Sequence, residues 1–349
     1  MPSNKLRKSR IFLYLKRCRN ISNQLNYSMK RSILNFFSRF YPQIFVNITL
    51  SNDTSSKKDG TGAQLQRMLA VAGLAEQIGA QFSQRAITDV AIHPLDPFQN
   101  QEQYVNFLTE LNETFKFSNP NLKNSNPVTY KVQNLRLAFL IRIALTSYVS
   151  KKEIELVVEN PYSVSDLNVD AYSAVVSKME MLQNRLVCFE NIAVAIHYRQ
   201  GVGNFVVYPG QSISREMEIS YFRETIRRHF SAEKLKNVEV HIFTDAPSKT
   251  LRFQPPQDQL YLWEGTPGFS NGEMVVKPLE FTEKDLDVQR VLVHSGGDPI
   301  DAMLQMSKAE LLILGRSSLS YVAGILSSGK TVVAAPEFWH PPLSNWKSA

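Results

Sequence analysis

Apolar and polar positions change period several times along the chain, and each change marks an element. Residues 44–50 (IFVNITL) form a run rich in β-branched side chains, which predicts a buried strand. A polar stretch follows, and then the turn Asp59-Gly60-Thr61-Gly62. Over residues 63–77, Leu65, Leu69, Ala72 and Ala75 fall on one helical stripe. The order is strand, glycine turn, helix. Helical spacing returns over 101–115 and 135–149, a strand pattern over 153–158, and one long helix is predicted over 169–186.

A second series begins near residue 190. Strands are predicted at 192–196, 238–244, 289–293, 311–314 and 331–335. A glycine-bearing loop at 200–210 and helices over 215–230, 299–308 and 317–326 separate them. Residues 246–288 carry five prolines and read as irregular. Strands that alternate with helices predict parallel sheets covered on both faces. The fold class is therefore α/β, with two Rossmann-like domains facing a cleft. The expected organisation is an extension over 1–42, a first domain over 43–189 and a second over 190–349. In such sheets ligands bind beyond the carboxyl ends of the strands, so the residues directly after each strand are the ones to inspect.

Charge changes the picture at one end. The 349 residues hold 39 basic and 32 acidic side chains. Ten of the basic ones lie within residues 1–40, which contain no acid. The remaining chain carries 29 basic against 32 acidic side chains, a mildly acidic body. A nucleic-acid-binding fold would carry its basic footprint on the body, so no nucleic-acid partner is expected. Within the extension, Ile33, Phe36, Phe37 and Phe40 follow helical spacing with Lys30, Arg31 and Arg39 nearby. Such a basic amphipathic helix suits an anionic membrane surface. It can equally dock on the protein's own body, and an Arg- and Ser-rich, acid-free segment also has the composition of an organellar presequence.

Two cysteines, Cys18 and Cys188, give neither a disulfide framework nor a thiolate zinc site. No apolar run reaches the ~18 residues of a membrane span. A cytoplasmic location is expected, with peripheral membrane contact through residues 1–40.

Several strand ends carry chemistry. His197-Tyr198-Arg199 follows the strand at 192–196. A guanidinium there can grip a diphosphate at two points and neutralise charge on a departing one. Ser317-Ser318 opens a helix after a strand, where hydroxyls and backbone N–H groups suit an anion; plain helix capping is the simpler role. Asp301 lies in the first turn of another helix, where it favours the helix dipole or holds a base or ribose. Gly60 and Gly62 allow either a close ligand approach or only a tight turn. The fingerprint of a dinucleotide-binding dehydrogenase is incomplete, because Leu65 stands where its third glycine belongs.

Taken together, these pieces resemble the GT-B fucosyltransferase superfamily, the α-1,2, α-1,6 and protein O-fucosyltransferases. His197-Tyr198-Arg199 resembles the family's His-x-Arg after a strand. Asp301-Ala302-Met303-Leu304, then LLILG, then Arg316-Ser317-Ser318 resembles its later signature. Asp59-Gly60-Thr61-Gly62-Ala63-Gln64 is similar to the glycine turn of the α-1,2 branch, with Gln64 matching. Gln200 stands where two branches carry a second arginine, and Gly201-Val202-Gly203 replaces the following acidic position.

The resemblance implies an inverting, metal-independent glycosyltransferase that moves fucose from GDP-fucose to a glycan or other small hydroxyl acceptor, with no cofactor besides the co-substrate. Arg199 would be the catalytic residue, binding the β-phosphate and aiding its departure. His197 would line the same pocket, Asp301 would hold the nucleoside, and Ser317 and Ser318 would bind phosphate oxygens. His93 and Asp245 are the candidates near strand ends for taking the acceptor's proton. Two alternatives stay open: a different nucleotide sugar on the same fold, or a catalytically degenerate glycan- or partner-binding protein. The string Asp285-Leu286-Asp287 resembles a metal-binding Asp-x-Asp, but it precedes a strand within a charged segment, where a solvated loop is expected.

Overall fold

In the computed structural model the described residues are 27–54, 60–90, 100–117, 127–160, 169–200, 205–208, 211–214, 217–254, 268–327, 330–338, 340 and 342–348. They divide between two compact units. The first holds the described parts of Met1–Lys57, Arg67–Ala86 and Phe117–Lys178; the second holds those of Lys58–Gln66, Ile87–Lys116 and Met179–Ala349.

In chain order, α1 (Tyr27–Phe40), a 3-10 turn (Pro42–Ile44), β1 (Ile48–Asn52), α2 (Thr61–Ile78), β2 (Gln81–Ser83) and α3 (Gln101–Thr114) come first. There follow β3 (Val128–Asn134), α4 (Leu137–Ser150), β4 (Ile154–Asn160), α5 (Val169–Ser177) and α6 (Glu180–Leu186). The second series is β5 (Ile192–Tyr198), β6 (Phe205–Tyr208), β7 (Gln211–Ser214), α7 (Ile219–His229), α8 (Ala232–Leu235) and β8 (Glu239–Thr244). It continues with β9 (Leu251–Phe253), β10 (Phe269–Ser270), β11 (Glu273–Val276), α9 (Glu283–Leu286) and β12 (Arg290–Ser295). It closes with α10 (Pro299–Ser307), β13 (Ala309–Ile313), α11 (Ser318–Leu326) and β14 (Thr331–Val333).

The first unit is built on a parallel sheet in the order β2-β1-β4-β3. Ile48 and Leu50 of β1 and Leu156 and Val158 of β4 are fully buried on it. The polar positions Ser51 and Asn52 of β1 and Glu159 of β4 are buried as well, as expected of inner strands of a parallel sheet covered on both faces. The edge strand β3 leaves Val128 and Tyr130 exposed.

The second unit has a five-stranded parallel sheet in the order β12-β8-β5-β13-β14. Val194 and Ile196 of β5, Val240 and Ile242 of β8, and Leu312 and Ile313 of β13 form its buried centre. From β5 the chain moves outward to β8 and β12, then returns to the other side of β5 for β13 and β14. The order therefore reverses between β5 and β13, and a crevice opens at such a reversal beyond the carboxyl ends of the strands. The alternating strand and helix pattern is thus realised as two parallel α/β sheets.

Some boundaries differ from the sequence expectation, each for a local reason. The strand predicted at 44–50 starts at Ile48, because Pro42 opens a 3-10 turn that carries Ile44. The helix predicted over 169–186 is two helices, broken at Lys178 and Met179; Met179 has a non-helical backbone and starts α6. Residues 246–288, read as irregular, contain the small antiparallel sheet β10-β11-β9 and the helix α9. The loop expected at 200–210 carries the β6–β7 hairpin. Among the described residues no helix is long and apolar enough to cross a membrane.

Candidate active site

The central strand β5 delivers the first site residues. His197 is buried, and its ring lies beside Gly315, which follows β13 across the reversal point. A side chain at Gly315 would stand 2.4 Å from the carbonyl oxygen of His197 and 3.0 Å from its Nδ1. Only glycine lets these two strand ends close together. Burial pushes the His197 imidazole down to about 4, opposed by the carboxylate of Asp245 and reinforced by the Arg199 cation. The ring is therefore neutral at pH 7. Its Nδ1 is buried and has no hydrogen-bond partner among the described residues.

Arg199 and Asp245 meet at the ends of adjacent strands β5 and β8. Arg199 Nε lies 3.3 Å from Asp245 Oδ2, and Asp245 Oδ1 accepts the backbone N–H of Gln200 at 2.9 Å. One carboxylate thus fixes both the guanidinium and the turn after β5. Sequence reading offered Asp245 as a proton acceptor. The other candidate for that role, His93, lies outside the described residues.

Across the reversal point, Ser317 caps α11. Its hydroxyl accepts from Leu319 N at 3.3 Å. Ser320 donates to the carbonyls of Gly315 and Ser317, each at 3.0 Å, and so ties the turn to the first helical residues. Ser318 is the first residue of the helix and is half-buried. Arg316, between Gly315 and Ser317, bonds the Pro336 carbonyl at 3.0 Å and Glu337 at 3.2 Å.

The glycine turn arrives at the same place. A Cβ on Gly62 would sit 2.3 Å from Leu319 N and 2.8 Å from the Ser318 carbonyl carbon. The first turn of α2 therefore rests directly on the backbone of the first turn of α11, within one compact unit. The chain at Gly60 closes this turn by accepting from Ala63 N at 2.9 Å and Gln64 N at 3.2 Å, and the Gln64 side chain is buried. Asp59 lies outside the described residues. Two helix starts, each with N–H groups that no intrahelical carbonyl can serve, converge next to the strand that carries His197 and Arg199. This arrangement suits an anion with several oxygens.

Asp301 is placed differently. It sits in the first turn of α10, and Arg185 holds its carboxylate. The same guanidinium bonds Glu110 on α3, and it bonds the Thr114 hydroxyl at 3.0 Å. Asp298 caps this helix by accepting from Ile300 N at 2.6 Å, and burial raises its carboxyl above the usual range. Asp301 thus anchors α10 to α3 and α6.

The Asp-x-Asp string is used by a helix. Asp285 accepts from both the N–H and the hydroxyl of Thr282 at 2.8 Å, forming a capping box that lowers its carboxyl below the usual range. Asp287 closes the same helix in a left-handed conformation and pairs with Arg227 at 2.9 Å.

Sequence reading passed over Gly315 and Asp53. Gly315 closes the strand LLIL, and a glycine at a strand end is the signal for close backbone approach. Asp53 directly follows β1 in the first unit. It is buried and pairs with Lys131 at 3.0 Å. An acid immediately after the first strand was visible in the sequence, but the polar run around it masked its burial.

No family model matches the sequence, and a search of curated proteins gives no match. Two solved structures align along most of the chain. Escherichia coli heptosyltransferase WaaC with ADP-2-deoxy-2-fluoro heptose is 12% identical, at a TM-score of 0.34, over 86% of this chain and 92% of that one. The same enzyme with ADP is 10% identical, at a TM-score of 0.34 and the same coverage.

Proposed function

We propose that this protein is a glycosyltransferase that takes its sugar from a nucleoside diphosphate. The observation that carries the reading is the meeting of Gly62 with Ser318 and Leu319 at the sheet reversal, where Gly315 closes on His197. The donor's diphosphate lies across the two helix starts, with Arg199 on the phosphate that leaves with the nucleoside. In this reading Arg199 stabilises the charge that builds as the sugar–oxygen bond breaks. Asp245 keeps the guanidinium aimed, and the neutral His197 packs the strand end without adding a competing charge.

GDP-fucose is the donor that the sequence resemblance favours, with inversion and without a metal. The two aspartates that would form a metal motif are engaged in capping α9, which agrees with that reading. The two units follow the GT-B plan in this proposal, with the acceptor, a glycan or small hydroxyl compound, served by the first unit.

Donor class is tested by thermal shift and calorimetry with GDP, UDP, CMP and ADP. Selective stabilisation by GDP supports the guanosine donor, since a ligand that binds only the folded state raises its stability by mass action. Preference for another diphosphate replaces the donor and keeps the transferase. Absence of binding by all four rejects the reading.

A further inference from the structure

The basic extension can be resolved further. Sequence reading left three uses for the extension that carries Ile33, Phe36, Phe37 and Phe40: docking on the body, contact with a membrane, or an organellar presequence. In the structure α1 is attached along a neighbouring edge. Leu34 is buried, and Asn35 Oδ1 accepts from Gln77 Nε2 at 2.8 Å. Ile33 and Phe37 are half-buried at the seam. Phe36 and Phe40 remain 50% and 59% exposed. They form one aromatic cluster with Tyr41, itself exposed, at ring-centroid separations of 5.0 Å (Phe36–Phe40) and 6.0 Å (Phe36–Tyr41). The Arg39 guanidinium lies 5.7 Å from the centre of the Phe40 ring. Self-docking therefore uses only one edge of the helix and leaves its aromatic side uncovered.

We infer that this aromatic face of α1 docks on an anionic lipid surface. Exposed aromatic rings beside an arginine suit the boundary between headgroups and acyl chains, where the rings leave water and the guanidinium stays with phosphate. Charge selects the occupant. Residues 1–40 hold ten cations and no acid, while the remaining chain carries three more acids than bases. An anionic surface attracts the extension and repels the body, which orients the protein with α1 downward. A second copy of the chain is disfavoured, because a self-complementary contact through α1 would bring two helices together that carry Lys30, Arg31 and Arg39 and no acid. The inference does not depend on the donor reading.

The test is co-sedimentation of the full chain with phosphatidylcholine vesicles, with and without phosphatidylglycerol. Binding is expected only with phosphatidylglycerol, and it should weaken as salt rises. The double variant Phe36→Ser/Phe40→Ser should lose about tenfold in apparent affinity with an unchanged melting midpoint, since both rings are exposed. Phe40→Trp should keep binding and shift its emission to the blue on phosphatidylglycerol vesicles. Equal binding by the double variant, equal binding to pure phosphatidylcholine, or no emission shift overturns the inference. So does self-association in sedimentation velocity that the double variant abolishes while vesicles capture neither form.

Discussion

Gly62→Ala tests the junction on which the site rests. The added methyl would lie 2.3 Å from Leu319 N, 2.6 Å from its Cα and 2.8 Å from the Ser318 carbonyl carbon. Each of these atoms is backbone, so no side chain can rotate aside. Ser317 caps that turn and Ser320 ties it to Gly315, which holds it in place. Ordinary contact begins at 3.4 Å, so one helix start must retreat by about 1 Å. Overpacking of this kind costs about 1–3 kcal/mol. Alanine is the better helix former and returns up to ~1 kcal/mol. The net loss should be about 1–2 kcal/mol, or ~2–8 °C in the melting midpoint of a unit this size. The effect on ligand should be larger in proportion, because the two sets of N–H groups no longer converge on one anion. GDP affinity should fall at least about tenfold, ~1.4 kcal/mol, in titration calorimetry. A variant with an unchanged midpoint and unchanged affinity would refute both the packing argument and the placement of the diphosphate.

Arg199→Lys should leave the fold intact and remove most transfer activity, because an ammonium keeps the charge but cannot make a planar two-point grip. If Arg199 stabilises the leaving diphosphate, the loss in kcat/KM should correspond to ~2.7–4 kcal/mol, and near-normal turnover would remove it from the mechanism. His197 gives a pH prediction. Its folded value, about 4, lies below the unfolded value of 6.5, so the unfolded chain binds the proton first as pH falls. Stability is full above pH 6.5 and declines as pH drops from 6.5 toward 4. Melting midpoints of the wild type and His197→Asn should converge over this interval, and parallel curves would contradict the assignment. Asp285→Ala with Asp287→Ala should lower the melting midpoint slightly through lost caps and leave activity intact, with or without EDTA. Loss of activity on chelation, restored by manganese, would defeat the metal-independent reading.

The sequence by itself determined the class of the fold. Period changes placed the two α/β series, and the alternation of strands with helices announced parallel sheets covered on both faces. The same alternation put His197, Arg199, Asp245, Ser317 and Ser318 at strand ends or helix starts. Those assignments follow from local rules, since side-chain alternation and capping depend on neighbours a few residues away.

Tertiary structure decided which of those positions meet. Gly60 and Gly62 are distant in sequence from Ser318, and no period reports that their helix starts touch. The order β12-β8-β5-β13-β14, which sets the reversal beside His197, is a choice among pairings that the strands alone do not rank. Asp301 gives another case: its motif context reports nothing of Arg185, carried by a separate helix, which pairs with its carboxylate. Asp285 and Asp287 likewise proved to be caps. Nor could helical spacing divide α1 between a buried Leu34 and an exposed Phe40, because amphipathicity names the apolar face but not what covers it. Burial and pairing are properties of the whole packed chain, so a residue's chemistry is legible from sequence while its partner is not.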